Sequence, residues 1–255
     1  MALLRAGFLA GAGIRLLALA AVAVVWESVS RAGLIPPLIL PPPSAIAAAA
    51  LKDGGLFLAS LQVTVFEIVV ATALAWAVGV PLGVLIGSSR RASGLLAPLL
   101  DSAFAVPWVI LYPLALAWLG IGSPSKIAFA AAYGVLPILL TTIAAVSSVE
   151  PWYYTLAAAL GATRRQLMVK ILLPRMLPAI LSGLRVGTGL VVIGVIVGEM
   201  LASVGGLGFQ ISSYRTLLES GHVYLGVLLA LLLAWLVNAG LGQVERRTTP
   251  GRAEE

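Results

Sequence analysis

The side chains that could do chemistry are few, and several stand in apolar surroundings. Glu67 and Glu199 interrupt the runs "QVTVFEIVV" and "VIVGEML". A carboxylate at membrane depth is costly, and it marks either a solute pathway or gate, or a pair with a neighbouring helix or water. Trp108 and Tyr112 sit beside Pro107 and Pro113 in a third run. Prolines there free backbone groups that protein or a water-filled path must satisfy, so these aromatics read as pathway lining or as packing. Thr142, with Thr141, is a weaker candidate of the same kind, since a threonine hydroxyl often bonds back to its own helix. With no cysteine and one histidine, His222, neither a thiolate nor a histidine-built metal site is expected. The chain also lacks a GxxxxGK[ST] phosphate loop, so ATP chemistry is not expected in it.

The elements that must position these groups are set by composition. Of 255 residues, 60% are hydrophobic and 10% charged, and the mean hydropathy is +1.06. A soluble domain carries about 25% charged residues, so this is an integral membrane protein. The net charge of +6 comes from basic residues in the gaps between apolar runs. That distribution fits a membrane topology signal and gives no reason to expect nucleic acid.

A spanning helix needs roughly 20 apolar residues, and six segments qualify, at about 8–26, 60–87, 95–119, 126–147, 178–202 and 222–243. The first reads as a retained span: a signal peptide would need a small-residue cleavage site, and "VVWESVS" runs on without one. With the N-terminus inside, Arg5, Arg15, Arg90, Arg91, Arg164, Arg165, Lys170, Arg175, Arg185, Arg246, Arg247 and Arg252 are cytoplasmic. Only Arg31, Lys52, Lys126 and Arg215 are outside. The asymmetry places both termini in the cytoplasm. The expected fold is therefore all-α, with residues 1–59 forming a first helix and an external hairpin, 60–243 a five-helix core, and 244–255 a polar tail. In the hairpin, the five prolines of "LIPPLILPPPS" block regular helix. Ser44 is placed to cap a short helix ending near Lys52, before a break at Gly54-Gly55. Asp101 reads as interfacial, and Arg185 as able to snorkel to the cytoplasm.

One segment does not fit a span. "LGATRRQLMVKILLP", Leu160 to Pro174, carries Arg164, Arg165 and Lys170 and is too charged and short to cross. Gly161 suits the left-handed end of a preceding helix. Thr163 with Gln166 makes a capping box for the next, which Pro174 stops or bends. Leu167, Met168, Ile171 and Leu172 fall on one stripe, so the second helix lies on a membrane face or fits a partner's groove.

These residues resemble a known family. Gly161, nine residues, Ile171, one residue and Leu173-Pro174 match the "EAA" loop of permease subunits of ATP-binding-cassette (ABC) importers. Thr155 stands where that family usually has Glu, and Leu156 replaces the first alanine, leaving Ala157. Further blocks between about Trp26 and Leu207, among them "PPLILPPPSAI", "VPWVILYPLALAWLGIGSPSKI" and "GLRVGTGLVVIGVIVGEML", resemble the nitrate, taurine, aliphatic-sulfonate and bicarbonate branch.

The resemblance implies a six-helix type I importer permease in the bacterial cytoplasmic membrane, working as a dimer with an identical copy. It implies a cytoplasmic ATPase dimer, which uses ATP and Mg, and an extracytoplasmic solute-binding protein. The loop at about 150–177 would be the coupling helix, with Thr155, Ala157, Gly161, Ala162, Thr163, Arg164, Arg165, Ile171, Leu173 and Pro174 as its ATPase-coupling residues. Glu199 gains weight as a gate, because the branch tends to carry Glu there. "SVGGLGFQISSYR" becomes either an outer lip or a plain loop. Gly183, Gly187 and Gly189, with Ser182, are expected to allow close packing, in a homodimer across the pore. The alternative is a self-sufficient secondary transporter or channel, which would show coupled intramembrane acids and repeated broken helices.

Overall fold

A computed structural model describes residues 17, 18 and 20–248, apart from the side chains of Tyr154 and Arg164. The first expected span, 8–26, lies mostly outside the described residues, as do 249–255. The described part is helical: α1 (20–31), α2 (Pro43–Gly87), α3 (Arg90–Phe104), a 3-10 turn (Trp108–Leu111), α4 (Tyr112–Leu119), α5 (Ser123–Ser147), α6 (Trp152–Ala159), α7 (Arg164–Leu167), a π turn (Met168–Leu172), α8 (Leu173–Leu201), α9 (Leu207–Thr216) and α10 (Ser220–Thr248). Among the described residues four helices are long and apolar enough to cross a membrane.

α5 is the central element, packed along α2 on one side and α8 on the other. Small residues allow this. Gly79, Gly83 and Gly87 recur every four residues on α2, and a Cβ at Gly83 would lie 2.5 Å from Thr142 Cβ on α5. Apolar surface gives helices in lipid no net drive to associate, so such close backbone approach carries the packing. On α8, Gly183 and Gly187 meet Thr141 and Ile138 of α5. Their close packing therefore lies within the protomer and not across a pore. Gly189 alone of the three faces open space. Ala71, Ala75, Ala130, Ile138, Val191 and Val195 fill the core. The outward faces of α2 and α10 are leucine-rich and exposed, as lipid contact requires.

Several expectations are corrected. The third span is not one helix. α3 and the Trp108–Leu119 segment meet at 86°, because Pro107 has no N–H to continue the ladder and disfavours helical geometry in the residue before it. Ser44 does not cap its helix, which starts at Pro43. Glu27 of α1 does so from across the hairpin, accepting from Ser44 N at 3.0 Å and Ser44 Oγ at 2.7 Å. A carboxylate at a helix N-terminus is favoured by the dipole. Gly54-Gly55 stays helical, and the break in α2 falls at Asp53 (φ −120°, ψ 17°), whose side chain is drawn away to α10 and α9.

Pro174 neither stops nor sharply bends its helix. The i→i+5 turn at Met168–Leu172 widens the backbone just ahead of it, a bulge that relieves the clash between the proline ring and the carbonyl four residues earlier. One helix consequently runs from Arg165 to Leu201. The C-terminal tail is helical as far as Thr248.

The hairpin 32–42 is clamped at one end of the bundle. Trp26 Nε1 donates to Pro41 O, Ser30 Oγ to Leu40 O, Ser220 Oγ to Leu38 O and Tyr224 Oη to Ile39 O. The 150–174 loop lies at the other end.

Candidate functional site

Local chemistry makes the loop stiff. α6 ends in a Schellman motif: Gly161 N donates to Ala158 O at 3.1 Å and Ala162 N to Ala157 O at 2.9 Å. Gly161 holds φ +65°, the left-handed region, which costs glycine least. The capping box then opens α7. Thr163 N donates to Gln166 Oε1 at 2.8 Å, and Gln166 N to Thr163 Oγ1 at 3.3 Å.

Ala157 and Leu172 are buried, and Leu167, Ile171 and Tyr153 pack beside them against the core. The Arg175 guanidinium lies 4.6 Å above the Tyr153 ring, a cation–π contact that ties α6 to the base of α8. The opposite face is open. Leu160 is 73% exposed, and Trp152, Leu156, Met168, Val169 and Leu173 are also exposed, as are Thr155, Thr163, Arg165, Lys170 and Pro174. Ala162 is half-buried, and the Arg164 side chain lies outside the described residues. The result is a small, fixed surface, apolar and basic, on the end of a 37-residue helix.

At the hairpin end, three of the candidate pathway residues meet in one sealed cluster. Glu67 on α2 is 0% exposed and pairs with Lys126 Nζ of α5 at 2.6 Å, and Lys126 is 2% exposed. Ser123 Oγ donates to Glu67 Oε1 at 2.7 Å, and Lys126 Nζ to Ser203 Oγ at 2.9 Å. The other oxygen, Glu67 Oε2, is buried without a partner among the described residues.

Glu199 near the end of α8 accepts from Thr64 Oγ1 at 2.8 Å and from Gly208 N at 2.8 Å. Leu207 N donates to Thr64 Oγ1 at 2.9 Å. A carboxylate fed by a backbone N–H at the start of α9 pins the turn Gly205–Gly208 onto the bundle. Gly206 at φ +102° leaves no room for a Cβ beside the Glu199 carboxylate. Tyr112 Oη donates to Ala202 O at 3.0 Å, and its ring meets Phe129 edge-on at 5.2 Å.

The other two candidates stand apart. Thr142 is buried in the α2–α5 seam, its hydroxyl unpartnered among the described residues. Trp108 is half-buried at the 86° break, donating to Ala103 O and stacked on Tyr133. The sequence reading missed Lys126, Thr64, Ser123 and Ser203 as members of the cluster. Lys126 had one signal, being a lysine at the mouth of an apolar run.

The described residues form an all-helical bundle with four apolar, span-length helices, and a rigid, exposed turn lies between two of them. The chain belongs to the family described as binding-protein-dependent transport system inner membrane component, whose model matches residues 79–250; it is a permease subunit of the ABC importer class. It is 32% identical over 243 residues to the taurine transport system permease protein TauC of Escherichia coli K12, covering 92% of this chain and 88% of that protein. It is 30% identical to the formylaminopyrimidine transport permease protein ThiX of Halalkalibacterium halodurans, covering 91% and 93%. Its fold matches an inward-facing structure of the MetNI methionine ABC transporter with TM-score 0.65 at 20% identity, over 76% of this chain and 96% of that one.

Proposed function

We propose that two copies of this chain form the solute pathway of an ATP-driven importer, each crossing the membrane six times with both termini in the cytoplasm. The 155–174 loop would seat in a groove of a separate ATPase that binds and hydrolyses ATP with Mg, and a solute-binding protein would dock at the hairpin end. The observation that carries this reading is the continuity of one helix from Arg165 to Leu201. At 1.5 Å per residue it is a lever about 55 Å long. The exposed coupling turn is at one end, and Glu199, holding the Gly205–Gly208 turn, is at the other. Closure of the ATPase would push the turn, tilt the lever and move the sealed cluster, opening one side of the pathway as the other closes.

The basic residues support the orientation. Arg90, Arg91, Arg165, Lys170, Arg175, Arg185, Arg246 and Arg247 belong to the loop end, against Arg31, Lys52, Lys126 and Arg215 at the hairpin end. Glu67, Tyr112, Thr142 and Glu199 brace the pathway wall from behind, while Trp108 at the break faces it. The relatives' names specify taurine and formylaminopyrimidine, solutes of different chemistry on one permease design. That fits selection by the binding protein.

Substitutions at Gly161 test the reading. No atom lies within 4 Å of a Cβ there, so only the positive φ is at stake. Asn, which tolerates that region, keeps ATP-driven uptake in proteoliposomes close to wild type. Ala costs about 1–2 kcal/mol in the turn and lowers uptake. Pro cannot reach φ +65° and loses the bond to Ala158 O, so it abolishes uptake while the protein remains folded. Equal uptake by all three would sink the coupling role.

A further inference from the structure

A second polar cluster lies at the hairpin end and takes no part in the site above. His222, in the first turn of α10, has a carboxylate on each ring nitrogen. Nε2 is 2.8 Å from Asp53 Oδ2, and Nδ1 is 2.8 Å from Glu219 Oε2. Tyr214 of α9 donates to the same Asp53 oxygen at 3.3 Å. Its ring stacks on the imidazole at 4.3 Å and 12°, with Phe57 on the flank. Asp53 from α2, Glu219 from the α9–α10 turn and Tyr214 from α9 are the charged and titratable groups that face His222. Among the described residues neither Asp53 nor Glu219 has another ion-pair partner.

A neutral imidazole has one N–H and one lone pair, so it donates to only one of two carboxylates. The lone pair of the other nitrogen would face a carboxylate oxygen at hydrogen-bond distance, which repels. Both contacts are favourable only when the ring carries two protons, and a stacked tyrosine face also favours a cation. Burial, with the Asp53 and Glu219 charges behind it, pushes the Tyr214 hydroxyl above its ordinary range. Tyr214 sits on α9, whose 10 residues are too few to span, and it stays a donor while the histidine changes charge.

The same residues meet at a kink in α2. Asp53 is the non-helical residue inside α2, and the arm ahead of it, Pro43–Lys52, lies on the start of α10. A Cβ at Gly221 would come within 3.0 Å of Ala45 O, and Ser220 and Tyr224 hold the hairpin backbone.

We propose that Asp53, His222 and Glu219 form a proton-operated latch that holds the outer arm of α2 against α10, making the outer face of the transporter responsive to the acidity of its compartment. The compartment rests on the orientation proposed above; the latch itself rests on the geometry. At acid pH the doubly protonated ring bridges both carboxylates and the arm is shut. When the ring gives up its second proton, one contact turns repulsive and the arm loosens.

The chain has no cysteine, so single thiols report on the arm cleanly. Ala49 of the arm is 3% exposed, and Leu51, also on the arm and 90% exposed, corrects for the pH dependence of the thiol reaction. The ratio of maleimide labelling rates, Ala49→Cys over Leu51→Cys, is expected to rise about tenfold from pH 5.5 to 8.5. With His222→Gln the ratio is flat and high. With Glu219→Gln it is flat and low, because the amide donates to the neutral ring nitrogen while the other N–H still serves Asp53. A flat ratio with His222 and Glu219 both intact, or a pH response that survives Glu219→Gln, overturns the latch. The experiment needs no ATPase, so it stands apart from the importer reading. If an impermeant maleimide reaches the arm only in inside-out vesicles, the outer compartment is overturned and the latch is not.

Discussion

Lys126→Met should destabilise the protein by about 3–5 kcal/mol, the usual cost of removing one partner from a buried pair. Glu67 would be left at 0% exposure without its countercharge, with Ser123 Oγ as its remaining hydrogen-bond donor among the described residues. Ser203 would lose the ammonium that joins it to α5. Coulomb attraction in a medium without water makes the pair strong, but desolvation offsets much of that gain. The net value of the pair is therefore small while the cost of breaking it is large. Glu67→Gln in the same chain should restore more than half of the loss, because an amide needs no countercharge and still accepts from Ser123. Thermal melting of the two single variants, the double variant and the wild type in detergent gives the cycle. A Lys126→Met protein as stable as wild type, or a double variant no better than it, would show that the pair does not hold the cluster.

The second large effect is steric. Gly134 of α5 crosses α8 where a Cβ would lie 2.5 Å from Val191 Cγ2 and 2.8 Å from the Gly187 carbonyl oxygen. A side chain can rotate aside, but a backbone oxygen inside a helix cannot. Gly134→Val must therefore separate α5 from α8, at a cost above the about 1–3 kcal/mol usual for overpacking. Little monodisperse protein should be recovered on size exclusion. Gly189→Val, on the same helix pair's open side with no atom within 4 Å, should leave the protomer's melting temperature within experimental error. Equal behaviour of the two variants would contradict the packing of α5 at the centre of the bundle.

How much of this was legible in the sequence follows from the range of each interaction. The Gly161 turn and the Thr163–Gln166 box are closed within a few residues, so their chemistry is written locally. The same holds for the apolar runs that became α2, α5, α8 and α10. The missed features depend on partners far along the chain. Asp53 breaks α2, and Gly54-Gly55 does not, because α10 supplies a histidine and α9 a tyrosine hydroxyl for its carboxylate. Ser44 is capped by Glu27 across the hairpin. Pro174 looked like a stop because a proline's local cost is clear, whereas the π turn that absorbs it depends on Leu172 being held in the core. Glu67 read as a pathway charge or a paired one, and only the fold brings Lys126 to it.

On the proposed function, the exposed face of the 155–174 loop rests on an ATPase encoded apart from this chain. A photo-crosslinking amino acid at Met168, which lies on the exposed side of the loop, probes that contact in cells that express the neighbouring genes. One cross-linked product is expected, an ATPase carrying a phosphate-binding loop. It should form from Met168 and not from a probe at Leu38 in the hairpin at the opposite end. Transport by the probe-bearing protein with only lipid captured at Met168 would rule out an ATPase seat for the loop. The loop would then be a membrane-surface helix of a transporter that works alone.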